Sequence, residues 1–378
     1  MNNSNLSEAL CNVPTVAFSI EARYEGRGQV LGTRYIGSKT RIADSILDIA
    51  GAPTGSGRFI DAFCGTGSVS HVAAARGWNI LVNDFMKSAI VMASAGLVNI
   101  SQAKFQALDG YQAAINTLND LKPINGFFYR EYSPASLGHL GLERRYFTEL
   151  NAARIDAIRN EISIWKSNGT ITEKEEVLLL GDLIIATNSV ANISGTYGCF
   201  LANWTETSKK KLELKPRSLS QSDIDWQSRS DDVFTIPASQ DDLIYFDPPY
   251  TKRQYAAYYH LLETLVIGDE PEVSGVTGLR PWQDRSSVFC YKKKALDALV
   301  TLVDQTSCRR ILLSYSNEGH ISQNELELSL SMLGKISVHQ IQKIGRYRPN
   351  STASSKGKEV SEYVIEIEKS RATALAGI

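Results

Sequence analysis

Apolar and polar positions along the chain mark out most of its elements before any chemistry is considered. Leu243-Ile244-Tyr245-Phe246 is an unbroken β-branched, aliphatic and aromatic run, the pattern of a buried strand. It stops at Asp247-Pro248-Pro249-Tyr250. Proline has a fixed φ and no N–H for a sheet ladder, so the strand must end there in a rigid corner. Arg58 to Asp61 reads as a strand that runs through Cys64-Gly65-Thr66-Gly67 into a helix, and Asn79 to Asp84 as the strand after it, ending in an acid. Ile42, Ile46 and Ile49 give an apolar face to a helix that Ser38 or Thr40 can cap. Arg309 to Ser316 is another apolar strand, and Ile336 to Ile341 with Tyr363 to Ile367 suits a terminal pair of strands.

Residues 101–240 interrupt this α/β pattern. Ile155, Ile158, Ile162 and Trp165 recur at helical spacing before a Ser167-Asn168-Gly169 stop. Thr172 with Glu175 forms a capping-box signature for an apolar helix over Val177 to Val190. A polar, glycine-containing loop follows, Asn192 to Gly198, and then a basic run that includes Lys209, Lys210 and Lys211. Such a run is ordinarily a solvated face; inside an insertion beside a base-binding corner it equally suits phosphate contacts. Beyond Tyr250, Gln254 to Ile267 reads as a helix rich in tyrosine and leucine. Residues 1–30 are weakly patterned and read as a loosely attached extension. Residues 343–358 carry Arg346, Arg348, Lys356 and Lys358 among glycine, proline and serine, a mobile basic loop expected to order on phosphates. The expected organisation is therefore an extension over 1–30, a catalytic domain over 31–109 and 241–378, and an inserted region over 110–240.

Composition narrows the class. The 378 residues are 43% hydrophobic and 21% charged, with a net charge of −1, so any nucleic-acid surface must be a local basic patch. Five scattered cysteines, an odd number without metal spacing, fit reduced thiols in a cytoplasmic protein, and no metal is expected. No secretion signal opens the sequence. The longest uncharged stretch, Leu183 to Trp204, is too polar for a membrane span.

The strand ends carry the chemistry. In an open parallel sheet ligands bind outside the carboxyl ends of the strands. Asp247 and the Pro248 carbonyl can accept hydrogens from an exocyclic amine, and Tyr250 can stack on a planar ring. An ordinary Asp-Pro turn is the plainer alternative for these four residues alone. The Gly65/Gly67 loop lacks the third glycine of a dinucleotide fingerprint, since position 70 is serine, so it need not wrap a pyrophosphate. Asp84 follows Asp61 by 23 residues, the spacing at which a second-strand acid takes ribose hydroxyls. A nucleoside site with few phosphate ligands points to S-adenosylmethionine more than to NAD or ATP. A helix N-terminus beside Lys39 can hold a carboxylate, although that turn alone reads as an ordinary capped helix.

The ordered set Tyr35-Ile36-Gly37-Ser38-Lys39, Asp61-x-Phe63-x-Gly65-x-Gly67, Asp84 and Asp247-Pro-Pro-Tyr250 resembles the S-adenosylmethionine-dependent DNA adenine-N6 methyltransferases, in the branch whose cofactor loop precedes DPPY. The resemblance covers about residues 33 to 368. It implies a Rossmann-like, doubly wound class I methyltransferase sheet with an inserted, mainly helical target-recognition region. It also implies that Tyr35, Lys39, Asp84 and Asp247 contact the cofactor or reaction centre. Gly37, Asp61, Phe63, Gly65 and Gly67 complete the candidate cofactor-binding set, and Asp247, Pro248, Pro249 and Tyr250 the catalytic one. The family's third-strand motif is not located after Asp84. The implied reaction is direct methyl transfer to a flipped adenine in double-stranded DNA, in a restriction-modification, phage or genome-protection context and with a cognate endonuclease as candidate partner. Alternatives are methylation of RNA adenine or of cytosine N4, the latter usually with serine in place of Asp247, and a catalytically silent DNA-binding protein on the same fold.

Overall fold

The computed structural model describes residues 35–344 and 360–369. The chain divides into two compact units, each assembled from three segments. Among the described residues, a sheet unit comprises 38–93, 224–254 and those from 285 onward, and a helical unit comprises 35–37, 94–223 and 255–284.

The sheet unit is built on seven strands, β1 (Phe59–Asp61), β2 (Ile80–Asn83), β3 (Trp226–Arg229), β4 (Leu243–Phe246), β5 (Arg310–Ser316), β6 (Gly334–Ile344) and β7 (Val360–Lys369). Their order is β3-β2-β1-β4-β5-β7-β6. The first five are parallel, and β7 runs antiparallel between β5 and β6. This is the doubly wound class I sheet that the resemblance implies. Every residue of β1, β2 and β4 is buried, which is why these strands read as continuous apolar runs. Ile60, Leu81, Ile244, Phe246, Leu313 and Ile365 belong to one core cluster.

Strand order reverses at β1 and β4, and the register there places the site. Asp61 lies level with Val82 of β2 and Tyr245 of β4. Asp84 and Asp247 therefore leave the sheet two residues further on, one on each side of Asp61, at the carboxyl ends where such sheets bind ligands.

Three local expectations change. The helix Ala43–Ala50 starts after Ile42 without a side-chain cap. The Ser38 and Thr40 hydroxyls are engaged elsewhere, with each other and with Ser68. The helix expected over Gln254 to Ile267 is two, Tyr255–Tyr258 and His260–Ile267, separated by Tyr259. The third strand is β3, beyond the whole helical insertion, and its neighbours 224–240 belong with the sheet and not with the insertion. Three of its four residues are exposed at the sheet edge, so it carries no apolar run for a sequence reading to find.

The helical unit contains Tyr111–Asp120, Phe127–Tyr132, Leu137–Leu140, Glu149–Ser167 and Glu173–Ser189, besides the pair after residue 254. Both sequence signals for the two long helices hold. Asn168 ends the first, and Thr172 with Glu175 makes a complete capping box on the second. Among the described residues no helix is long and apolar enough to cross a membrane.

Candidate active site

At the strand ends of the sheet unit one ammonium lies between two carboxylates. Lys39 Nζ is 3.2 Å from Asp247 Oδ1 and 3.1 Å from Glu362 Oε2, and Lys39 is only 5% exposed. The same ammonium lies 5.2 Å from the centre of the Tyr250 ring. Burial works against the lysine's charge, but Asp247, Tyr250 and Glu362 outweigh it and hold its pKa well above the ordinary value. Burial, opposed by Lys39 and reinforced by Glu362, pushes the Asp247 carboxyl up to about 6. Asp247 is thus ionised at neutral pH, yet more basic than a solvated aspartate. The corner itself is firm: Pro248 is buried, the Tyr250 carbonyl accepts from His320 N at 2.9 Å, and the Tyr250 ring packs at 5.5 Å against Tyr315.

The glycine loop forms the second part. Gly65 (φ +50°) and Gly67 (φ +77°) adopt left-handed conformations. A Cβ on Gly67 would stand 2.6 Å from Ala93 Cα, so this glycine is demanded by packing inside the protein as well as by the turn. Asp84 holds the loop: Oδ2 accepts from Gly65 N at 3.0 Å and Oδ1 from Met86 N at 2.9 Å. Asn83 bridges strand ends, donating to the Ala62 and Asp231 carbonyls and accepting from Asp231 N.

Asp61 is buried, with Oδ2 accepting from Ser70 Oγ at 2.5 Å and Oδ1 without a hydrogen-bond partner among the described residues. Burial, opposed by the Ser70 bond and reinforced by Asp247 and Asp84, raises its carboxyl to about 7. Beside it, the Ser38, Thr40 and Thr66 hydroxyls all lie within 3.1 Å of Ser68 Oγ at the start of the helix Ser68–Ala75. Half-buried Phe63 meets Phe246 and Phe289 edge-on, and Phe234, just after β3, stacks on Phe289.

Lys39, Asp61, Phe63, Gly65, Gly67, Asp84 and Asp247 to Tyr250 are thus all in the sheet unit. Tyr35 and Gly37 belong to the helical unit. There Tyr35 stacks 4.3 Å from Tyr259, and a Cβ on Gly37 would reach 2.8 Å from the Tyr255 hydroxyl. Lys209, Lys210 and Lys211 are exposed in the helical unit, with Lys209 paired to Glu206 at 2.7 Å. Arg346, Arg348, Lys356 and Lys358 lie outside the described residues.

Glu362 and Phe234 are site residues that the sequence does not single out. Each sits on an element whose partners are distant in sequence, and neither stands in a local motif. Exposed cations beside the corner are equally inconspicuous: Lys252 and Arg253 after Tyr250, and Lys292, Lys293 and Lys294 before the helix Ala295–Gln305. The three buried thiols, Cys64, Cys290 and Cys308, are not candidate nucleophiles. Burial pushes Cys290 and Cys308 up to about 12 and Cys64 well above its ordinary range. Among the described residues no group of three or more His, Cys, Asp or Glu side chains is placed to hold a metal ion.

Residues 35–327 match the family model of the D12 class N6 adenine-specific DNA methyltransferases. The chain is 34% identical over 344 residues to the type II methyltransferase M.FokI of Planomicrobium okeanokoites, covering 89% of this chain and 52% of the relative. It is 31% identical to the modification methylase StsI of Streptococcus sanguinis, again over 52% of that protein. It is also 31% identical to the type II methyltransferase M.NlaIII of Neisseria lactamica, over 99% of its length. The chain thus spans about half the length of the first two relatives and nearly all of the third.

Proposed function

The chain belongs to the D12 class N6 adenine-specific DNA methyltransferases, and we propose that it methylates N6 of an adenine flipped out of double-stranded DNA, using S-adenosylmethionine, as the modification partner of a restriction endonuclease. The observation that carries this reading is the Asp247 carboxylate, fixed at a proline corner and ion-paired to Lys39.

The amine of adenine is a weak nucleophile, because its lone pair is delocalised into the ring. Accepting its hydrogens at Asp247 and at the Pro248 carbonyl draws the nitrogen toward tetrahedral geometry and stabilises the positive charge it gains. A carboxyl with a pKa of about 6 is ionised at neutral pH and basic enough to take the proton that the methylated nitrogen sheds. Tyr250 offers a face to the base. Stacking of this kind is worth about 1–3 kcal/mol per base.

The residues present fit the cofactor. Asp61 Oδ1 is a buried acceptor without a donor among the described residues, suited to an ammonium. Asp84, which follows β2 directly and holds the glycine loop, is the acid for a ribose diol. The hydroxyls of Ser38, Thr40 and Thr66 supply donors for a carboxylate at a helix N-terminus. When bound, S-adenosylmethionine supplies a methyl group already activated on a sulfonium, so the protein provides alignment and electrostatics, and no covalent enzyme intermediate. The segment 94–223 of the helical unit is assigned to reading the sequence around the target, supported by its placement in the chain between the glycine loop and DPPY.

DNA from cells expressing the protein should carry N6-methyladenine at one defined sequence, and DNA from cells expressing Asp247→Ala should not. The purified variant should lose on the order of 10²–10³-fold or more in rate while still binding cofactor. Modified cytosine, or adenine modified only in RNA, would overturn the assignment.

A further inference from the structure

Glu362 enters the site from β7, the last described strand. It faces Ser316 of β5 and Ile341 of β6 in the register, and its neighbour Ser361 is fixed by Asn317 on both N–H and carbonyl. Its Oε2 is buried and has no hydrogen-bond donor among the described residues; the 3.1 Å contact with Lys39 Nζ is its ion pair. Lys39 is the cation of this cluster, and it serves two carboxylates at nearly equal distances. A buried ion pair normally seeks one partner per charge, because each further desolvated charge is costly. The extra carboxylate calls for a reason.

We propose that Glu362 is a positioning residue for methyl transfer: by sharing Lys39 it prevents a dedicated ammonium from neutralising Asp247, and so keeps that carboxylate a strong acceptor for the target amine. This rests on the methyl-transfer reading given above. The charged and titratable groups around the pair come from five elements. Lys39 comes from the turn before Ala43–Ala50, Asp61 from β1, Tyr245 and Tyr250 from either end of the β4 corner, Tyr315 from β5 and Glu362 from β7. Burial and Glu362 both raise the Asp247 carboxyl, and Lys39 lowers it. Removing the negative charge of Glu362 therefore lowers the Asp247 pKa, makes it a weaker base, and leaves Lys39 to bind it alone. Were Glu362 there only to neutralise a buried lysine, its loss would affect folding and leave kcat of the folded variant unchanged.

Glu362→Gln keeps the shape and one oxygen acceptor for Lys39. The first readout is the ¹³C shift of the Asp247 carboxyl in the free protein across pH 4–9. Its midpoint should fall by about one pH unit in Glu362→Gln, the scale of roughly 1.4 kcal/mol of lost interaction. Glu362→Asp, which keeps the charge but draws it back from Lys39, should move the midpoint in the same direction by less, and serves if the glutamine variant does not fold. The second readout is turnover. In Glu362→Gln, kcat should drop on the order of tenfold with KM for cofactor and DNA nearly unchanged, and the acid limb of the kcat profile should follow the carboxyl to lower pH. An unmoved carboxyl titration in both variants overturns the proposal, whatever happens to turnover. A wild type that titrates as expected but methylates no adenine would sink the enzymatic reading instead.

Discussion

The two units of this protein bury polar groups in opposite ways. In the sheet unit the central strands are apolar on both faces, and a cluster of charges, Lys39, Asp61, Asp247 and Glu362, gathers at their ends. In the helical unit buried side chains hold loops by bonding to backbone. Arg144 donates to the carbonyls of Glu131, Gly275 and Val276 and pairs with Glu131 at 2.8 Å. Arg154 reaches the carbonyls of Leu212 and Asn119, and Asn151 donates to the carbonyl of Lys210. Tyr132 donates to Gly278, and the single Tyr146 O–H is shared between the carbonyls of Tyr197 and Thr277 at 2.9 and 3.1 Å. His260 is pushed down to about 3 by burial, so its neutral ring donates to the Tyr197 carbonyl through Nε2. A sheet satisfies its own backbone, and its strand ends are then free to hold unpaired or shared charge for chemistry. Irregular loops have no ladder, so long donors must satisfy them instead.

Arg144→Ala is the most direct attack on that difference. It strands several buried carbonyls and the Glu131 carboxylate at once, and should cost about 3–5 kcal/mol. A sheet-core truncation such as Leu313→Ala should cost about 2–5 kcal/mol through a cavity. The distinguishing measurement is local. Limited proteolysis of Arg144→Ala should cut within 270–280, where the clamped carbonyls lie, before anything in the sheet opens. Equal protection of that segment in both variants would break the contrast.

The same difference explains what can be read in the sequence. The strands β1, β2, β4 and β5 announce themselves because burial on both faces writes an apolar run. Asp247 and Asp84 can be placed because they follow such runs directly. The capping box at Thr172 and Glu175 is legible because all of its atoms lie within four residues. Glu362 is not, since it acts through Lys39 across more than three hundred residues, and neither is β3, an exposed edge strand. Ser38 and Thr40 resemble helix caps because local spacing cannot reveal that Ser68 holds their hydroxyls. Loop paths in the helical unit, fixed by Arg144 and Arg154 from afar, leave no periodic trace at all.

A second test concerns the charge held at the strand ends. Asp61 titrates near 7 in the folded protein against 3.8 unperturbed. Between those values the folded state carries a proton that the unfolded state has lost. Its contribution is therefore fully present below about pH 4 and is lost as pH rises toward 7, at about 1.4 kcal/mol for each pH unit crossed. Asp61→Asn should flatten that part of the stability profile and be more stable than wild type at pH 8, by urea unfolding without cofactor. It should also bind S-adenosylmethionine more weakly, because the unpartnered carboxylate oxygen is gone. A variant with the wild-type slope between pH 5 and 8 would show that Asp61 is relieved of its charge by some other route.

The smallest expected effect separates two basic surfaces, one on each unit. In the sheet unit, Lys252 and Arg253 follow the Asp247–Tyr250 corner, and Lys292, Lys293 and Lys294 precede the helix Ala295–Gln305. Their backbones are tied together. Cys290 Sγ donates to the Arg253 carbonyl at 3.2 Å, Ser287 N to Gln254 Oε1 at 2.9 Å, and His320 links the Cys290 and Tyr250 carbonyls. In the helical unit the run Lys209 to Lys211 is also held by its backbone, through Asn151, but Lys209 already pairs with Glu206. Each phosphate contact contributes about 0.9 to the slope of log affinity against log salt. Replacing Lys292, Lys293 and Lys294 together with Ala should reduce that slope by roughly 2.7 if all three contact phosphates. Replacing Lys209, Lys210 and Lys211 should reduce it by less, at most about 1.8, because one of those charges is spoken for. Phosphates carry no sequence information, so both variants should weaken binding to all duplexes alike and methylate the same site. Anisotropy titrations of a labelled duplex at several salt concentrations measure both slopes. A larger loss from the helical-unit variant would reverse the division: the unit proposed to read the sequence would also be the one that grips the backbone, and the charge beside the Asp247–Tyr250 corner would be merely solvated.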